Sequence, residues 1–525
     1  MLKENKLLIG KNGDKELCLL LDKANRHGLI TGASGSGKTI TSKVMAESFS
    51  EAGIPVFMAD VKGDLAGTAL PGEPNENVES RVQKLNLENF EYQGYPVRFW
   101  DIFGDYGHPV RTTLDSVGPE ILSMMLGLTE AQEGVLTIVF KIAQDNGWEL
   151  DKIEDLRLLL QYVGDNREKF TTSYGNVTTQ SVGVIQRCLL ALENQGGDLF
   201  FGLPELDIND LLAVEPTTGK GYINILHSVR LFESPDLFAS FLLWILTTLY
   251  TKMPEVGDLD KPKMVFFFDE AHLLFNGMPE YRLKRIVQVV RLIRSRGIGL
   301  YFISQSPADI PNEVIAQLGN RVQHNLRAYT PTELKTVKTA ADSFRANPAF
   351  NTYDEILALG TGEALISFQN ENGEPEVVEK AKILPPQSKM GVIDEMSRNK
   401  VINSSNLLGK YDEPVERESA YEEISELNNL IKEKIEAEAQ AKEEERLAKE
   451  AEKQRIADEK AAEKARKEEE RLAKEEQRAA EKAEREAERA RKNSVGYKLG
   501  KKVTNKAADK LINKGLNSLF KNLFK

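Results

Sequence analysis

The chain is poor in the residues that would make it a secreted or membrane-spanning protein. Its 525 residues contain two cysteines, Cys18 and Cys188, too few for a disulfide framework and without metal-ligand spacing. Both are expected to be small buried side chains in a reducing compartment. No run approaches the roughly 18 uncharged apolar residues of a membrane helix, and the longest apolar stretch, 237–250, reads as a core helix. The opening Met1-Leu-Lys-Glu-Asn-Lys has no apolar signal run, so a soluble, cytoplasmic protein is expected. Positive charge is also short in the globular part. Residues 411–525 hold 28 basic and 28 acidic side chains, so the first 410 carry the whole net charge of −12. Such a balance argues against a broad nonspecific nucleic-acid face but leaves room for a small basic channel.

What is present is a regular alternation. Short apolar runs ending in small or acidic residues occur at 27–31, 55–60, 97–101, 221–226, 264–269, 299–304, 321–326 and 363–368. They read as buried strands separated by helices, which predicts an α/β fold with a doubly wound, largely parallel sheet. Residues 115–215 instead carry helical periodicity and read as a helical insertion. An ATPase domain is expected over 1–395 and a linker over 396–419. Residues 420–492 consist almost wholly of Glu, Lys, Arg and Ala, with no Pro or Gly. Helix formers and Glu-to-Lys pairs predict a charged helix on the order of 100 Å long. Leu447, Ile456 and Leu472 stand nearly alone as apolar positions, which favours a solvated helix over a coiled coil. Residues 493–525 read as a basic amphipathic helix. It could lie on an anionic membrane, dock on a protein partner, touch nucleic-acid backbone or pack on the ATPase domain.

The most specific motif is Gly32-Ala33-Ser34-Gly35-Ser36-Gly37-Lys38-Thr39, between a strand and a helix. Its glycines let successive N–H groups converge on phosphate oxygens, and the new helix adds its positive dipole end. Lys38 can reach the β- and γ-phosphates of ATP, and the Thr39 hydroxyl can ligate Mg²⁺.

Five apolar residues, Met264 to Phe268, then deliver Asp269 and Glu270 at the end of a strand. Asp269 would hold Mg²⁺, and Glu270 would polarise the attacking water. An acidic pair capping the next helix is the plainer alternative. His272 completes Asp-Glu-Ala-His and reads as a structural or polar-relay residue. Gln305, closing the strand 299–304, is a candidate γ-phosphate sensor; otherwise it begins the turn before Pro307. Asp60, in Asp60-Val-Lys-Gly-Asp64, could join the Mg²⁺–water network, or simply sit in a glycine turn. Arg291, Arg294 and Arg296 end an amphipathic helix before Gly297. Dipole capping explains them, and so does an arginine finger reaching a neighbouring subunit.

The order of these motifs over roughly residues 5–395 resembles the HerA/FtsK group of P-loop ATPases, specifically the bacterial HerA-like helicase-domain proteins. That resemblance implies a RecA-like ATP hydrolase that forms a hexamer and moves on double-stranded DNA. It also implies an arginine, Arg294 or Arg296, that acts on the neighbouring subunit. An ATP-gated scaffold recruited by the basic tail, and an export or conjugation motor, are the other readings.

Overall fold

In the computed structural model, which describes residues 1–257, 259–275 and 280–492, the apolar runs form one thirteen-stranded sheet. The strands are β1 (Leu2–Lys3), β2 (Lys6–Asn12), β3 (Lys15–Leu20), β4 (Gly28–Thr31), β5 (Val56–Asp60), β6 (Val97–Asp101) and β7 (His108–Pro109). They continue with β8 (Ile223–His227), β9 (Met264–Phe268), β10 (Ile298–Ser304), β11 (Asn320–Gln323), β12 (Glu363–Ser367) and β13 (Glu379–Ile383). Along the sheet the order is β1-β2-β13-β12-β11-β4-β10-β9-β5-β8-β6-β7, with β3 paired to β2.

From β11 to β7 every pairing is parallel. From β11 through β12, β13 and β2 to β1 and β3 the pairings are antiparallel. The expected doubly wound α/β architecture is present, with an antiparallel flank of which the apolar runs announced only β12, at 363–368. That flank alternates charged and apolar residues, as in Glu379-Lys-Ala-Lys-Ile383, because one face meets solvent.

Helices cover both faces of the parallel part. The β9 run supplies Phe266 and Phe267 to opposite faces, as strand geometry requires. Phe267 packs on Phe49 of the helix Lys38–Glu51, with ring centroids 6.3 Å apart. Phe266 stacks on Phe57 at 5.0 Å, and Phe57 on Phe241 of the helix Pro235–Lys252 at 6.2 Å. This two-sided burial explains why the central strands read as unbroken apolar runs. The helical insertion is present as Leu114–Met125, Glu130–Asn146, Ile153–Asp165, Arg167–Tyr174 and Thr179–Leu192. Leu136, Val139, Leu156, Leu159, Ile185 and Leu189 form its interior.

Two compact units emerge, Met1–Asn428 and Asn429–Lys525. Residues 396–419, read above as a linker, instead pack into the first unit. Tyr411 is fully buried, edge-on to Trp100 at 5.5 Å, and Arg398 lies over the Phe99 ring at 4.6 Å. Aromatic and guanidinium groups are spread too thinly through this polar stretch to register as a core pattern. The charged helix runs from Ala420 to Lys492. In the second unit Leu430, Ile435, Leu447, Ile456 and Leu472 are all exposed. The expected basic helix at 493–525 lies outside the described residues. Cys18 and Cys188 are free and partly exposed rather than buried. Among the described residues no helix is long and apolar enough to cross a membrane.

Candidate active site

The cradle sits where β4 ends, at the carboxyl edge of the parallel sheet, where ligands of open α/β sheets bind. Gly37 adopts a left-handed conformation (φ 117°) and starts the helix at Lys38. A Cβ at Gly32 would lie 2.5 Å from the His324 Cβ, so only glycine fits there. The loop is buttressed from behind. The Ala33 N–H donates to the Asn325 carbonyl at 2.8 Å, and the Gly362 N–H donates to the Ser36 carbonyl at 3.0 Å. Arg81 in turn donates to the Gly362 carbonyl at 2.8 Å. Ser34 and Gly35 are exposed at the tip, whereas Gly32, Ser36 and Lys38 are buried, and Thr39 is partly so.

Lys38 Nζ donates to the carbonyls of Gly32 at 2.6 Å and Ala33 at 3.2 Å. Burial pushes its pKa down, and the charges of Asp269 and Glu270 push it back up. The cradle lysine and the Asp-Glu pair therefore share one electrostatic neighbourhood, although β10 lies between β4 and β9. Asp269 is raised to about 6, first by burial and then by the adjacent Glu270. Its Oδ1 accepts the Glu270 N–H at 2.9 Å. Glu270 is 7% exposed and sits at φ 47°, a left-handed conformation unusual for a residue with a Cβ. Its Oε1 is 3.7 Å from Lys62 Nζ, and its Oε2 is 3.5 Å from His272 Nδ1.

Three buried polar atoms in these elements have no hydrogen-bond partner among the described residues: Ser36 Oγ, Glu270 Oε2 and Asp60 Oδ1. Buried polar groups are normally paired, so such atoms at one sheet edge fit a ligand. The oxygen donors of Thr39 and Asp269 match the hard-cation chemistry of Mg²⁺ beside a phosphate chain.

The other candidates lie on neighbouring elements. Asp60 ends β5, one strand beyond β9. Its Oδ2 accepts the Leu65 N–H at 3.1 Å, and burial with the Asp64 charge raises it to about 6. Gln305 is exposed at the end of β10, next to Ser304, whose hydroxyl donates to Asp309 Oδ2 at 2.6 Å. Arg294 and Arg296 precede β10, so seven strand residues separate them from the Ser304 edge. They therefore lie at the opposite edge of the sheet from this chain's own cradle. Arg296 donates to the Met253 carbonyl at 2.8 Å and lies over the Tyr250 ring at 5.2 Å.

Sequence reasoning passed over His324, Asn325, Lys62 and Asp309. Asp309 is among the charges that act on Lys38. His324 bridges the Thr41 hydroxyl and the Glu363 carbonyl, each at 2.9 Å. The polar run Gln323-His324-Asn325 was a visible signal, hidden because the apolar pattern carried the expected strand on to Leu326.

The sequence matches the family described as helicase HerA-like C-terminal over residues 5–510. The chain belongs to that family. Over 366 residues this HerA-like chain is 25% identical to the DNA double-strand break repair helicase HerA of Sulfolobus acidocaldarius, spanning 68% of this chain and 65% of that protein. It is 22% identical over 376 residues to the HerA of Sulfurisphaera tokodaii, spanning 69% of this chain and 67% of that one. The chain thus covers about two-thirds of the length of these relatives. VirB4 of Thermoanaerobacter pseudethanolicus is similar with a TM-score of 0.46 and 15% identity, covering 76% of this chain and 99% of that one.

Proposed function

We propose that this HerA-like chain is a ring-forming motor that couples ATP hydrolysis to movement on double-stranded DNA. The observation that carries the ATPase part is the convergence of Lys38, Asp269 and Glu270 at one sheet edge, with Ser36 Oγ and Glu270 Oε2 buried and unpartnered. DNA as the track, and a hexamer as the assembly, rest on family membership and on the HerA relatives named as helicases.

In this reading the cradle N–H groups and Lys38 bind the β- and γ-phosphates. Thr39 and Asp269 would hold Mg²⁺, which supplies charge neutralisation on the phosphate oxygens. Glu270 accepts a proton from a water aligned with the γ-phosphorus. The water oxygen bonds to phosphorus, the bond to the ADP oxygen breaks, and ADP and inorganic phosphate result. Gln305 and Asp60 border the site and would sense the γ-phosphate and the metal-bound water. Arg294 or Arg296 would serve a neighbouring subunit, because the edge of the sheet that carries them is remote from this chain's cradle. Arg296 also meets the Met253 carbonyl, the Tyr250 ring and Glu255 in its own chain.

The test is the ATPase rate of the purified chain with and without duplex DNA, together with its mass in the presence of a nonhydrolysable ATP analogue. A rate unaffected by any DNA removes the motor reading, and a monomeric mass removes the ring. A second reading, recruitment by the tail to an anionic membrane, is favoured by the ten basic residues against one acid from Arg491 onward. Flotation of the full chain with anionic vesicles, compared with a chain ending at 492, tests it; no difference removes it.

A further inference from the structure

We propose that Lys62 is a positioning residue for hydrolysis that acts through Glu270, an inference that rests on the ATPase reading of this site. The backbone of Glu270 is left-handed, a conformation that strains a non-glycine residue and persists only where surroundings impose it. Its carboxylate therefore does not leave β9 along the path an extended strand would give. Its Oε1 meets Lys62 Nζ at 3.7 Å, and its Oε2 meets His272 Nδ1 at 3.5 Å. Each oxygen thus has a nitrogen within 4 Å, while Oε2 has no hydrogen-bond partner among the described residues.

The route that brings Lys62 there is built into the sheet. β5 pairs directly with β9, with Met58 opposite Phe267. Continuing that register places residue 60 beside 269 and residue 61 beside 270, so Lys62 is the first side chain past the pair. The turn that holds it is fixed. Val61 is buried, Gly63 takes φ 75°, and Asp60 Oδ2 accepts the Leu65 N–H.

Lys62 contributes little to folding in this position. Its side chain is 53% exposed, against 8% for Glu270, and pairs reaching into solvent add little stability. Orientation is another matter. A reacting group displaced by about 1 Å can lose on the order of 100-fold in rate.

The experiment measures kcat and KM for ATP in the full chain carrying Lys62→Met, Lys62→Arg or Glu270→Gln. Lys62→Met keeps the apolar stem and removes the charge. The expected result is a fall in kcat of about tenfold with KM within about twofold, and recovery of most of the rate in Lys62→Arg. Unchanged kcat in Lys62→Met overturns the proposal. So does a rise in KM at constant kcat, which would put Lys62 on the nucleotide itself, and so does an arginine variant no better than the methionine one. Glu270→Gln separates the two levels. If it still hydrolyses ATP, the reading of the site fails; if it is inactive while Lys62→Met is normal, only the role of Lys62 fails.

Discussion

The Nε2 atom of His27 lies 2.7 Å from the carbonyl of Val290, while its Nδ1 accepts the Leu300 N–H at 3.0 Å. The pairing fixes the tautomer, with the proton on Nε2, and ties the strand that feeds the cradle to the helix that carries the arginines. Burial pushes His27 down to about 4. The unfolded chain takes up this proton near pH 6.5. His27 therefore contributes fully above about pH 6.5, and its contribution is lost as the pH falls towards 4. Asp60, Asp115 and Asp269, raised to about 6, act in the opposite direction over the same range. The informative quantity is thus the stability difference between the unmodified chain and His27→Gln. Urea unfolding at pH 7 and pH 4.5 is expected to show that difference shrinking by about 2 kcal/mol. A constant difference would mean that His27 is not held neutral.

Asn325 links the cradle to residues 357–359. Its carbonyl accepts the Ala33 N–H, and its side-chain Nδ2 donates to the carbonyls of Leu357 and Leu359 at 3.0 Å. Asn325→Ala leaves those carbonyls short of a donor, at a cost of about 1–3 kcal/mol. The cradle should loosen with them. Denaturation should register the lost stability, and steady-state kinetics should show a KM for ATP raised several-fold.

The placement of the arginines predicts complementation. Lys38→Ala and Arg294→Ala should each abolish most hydrolysis. Mixed before assembly, they should regain part of it, because some interfaces then combine an intact cradle with an intact arginine. Activity of the mixture no higher than that of either variant would remove the role of Arg294 on a neighbouring subunit.

Much of the parallel sheet was legible because its strands are buried on both faces and so read as apolar runs, Met264–Phe268 above all. The antiparallel flank was not, since Lys6–Asn12 and Glu379–Ile383 mix lysines and glutamates into half-buried strands. Residues 396–419 looked like a linker because Tyr411 and Arg398 make their burial one contact at a time. At the site, Lys38, Asp269 and Glu270 were readable because strand-end chemistry has a local signature. Lys62 and His324 were not, because their roles depend on which strands are neighbours in the sheet, and no spacing along the chain encodes that.

The proposed role of Glu270, activating water in an ATPase that responds to duplex DNA, is measured by the ATPase rate of the unmodified chain and of Glu270→Gln, each with and without duplex DNA. The rate is expected to rise with DNA in the unmodified chain and to fall by about 100-fold or more in the variant, while the variant still binds ATP. Hydrolysis by Glu270→Gln at the unmodified rate, or a rate indifferent to DNA in both, would contradict it.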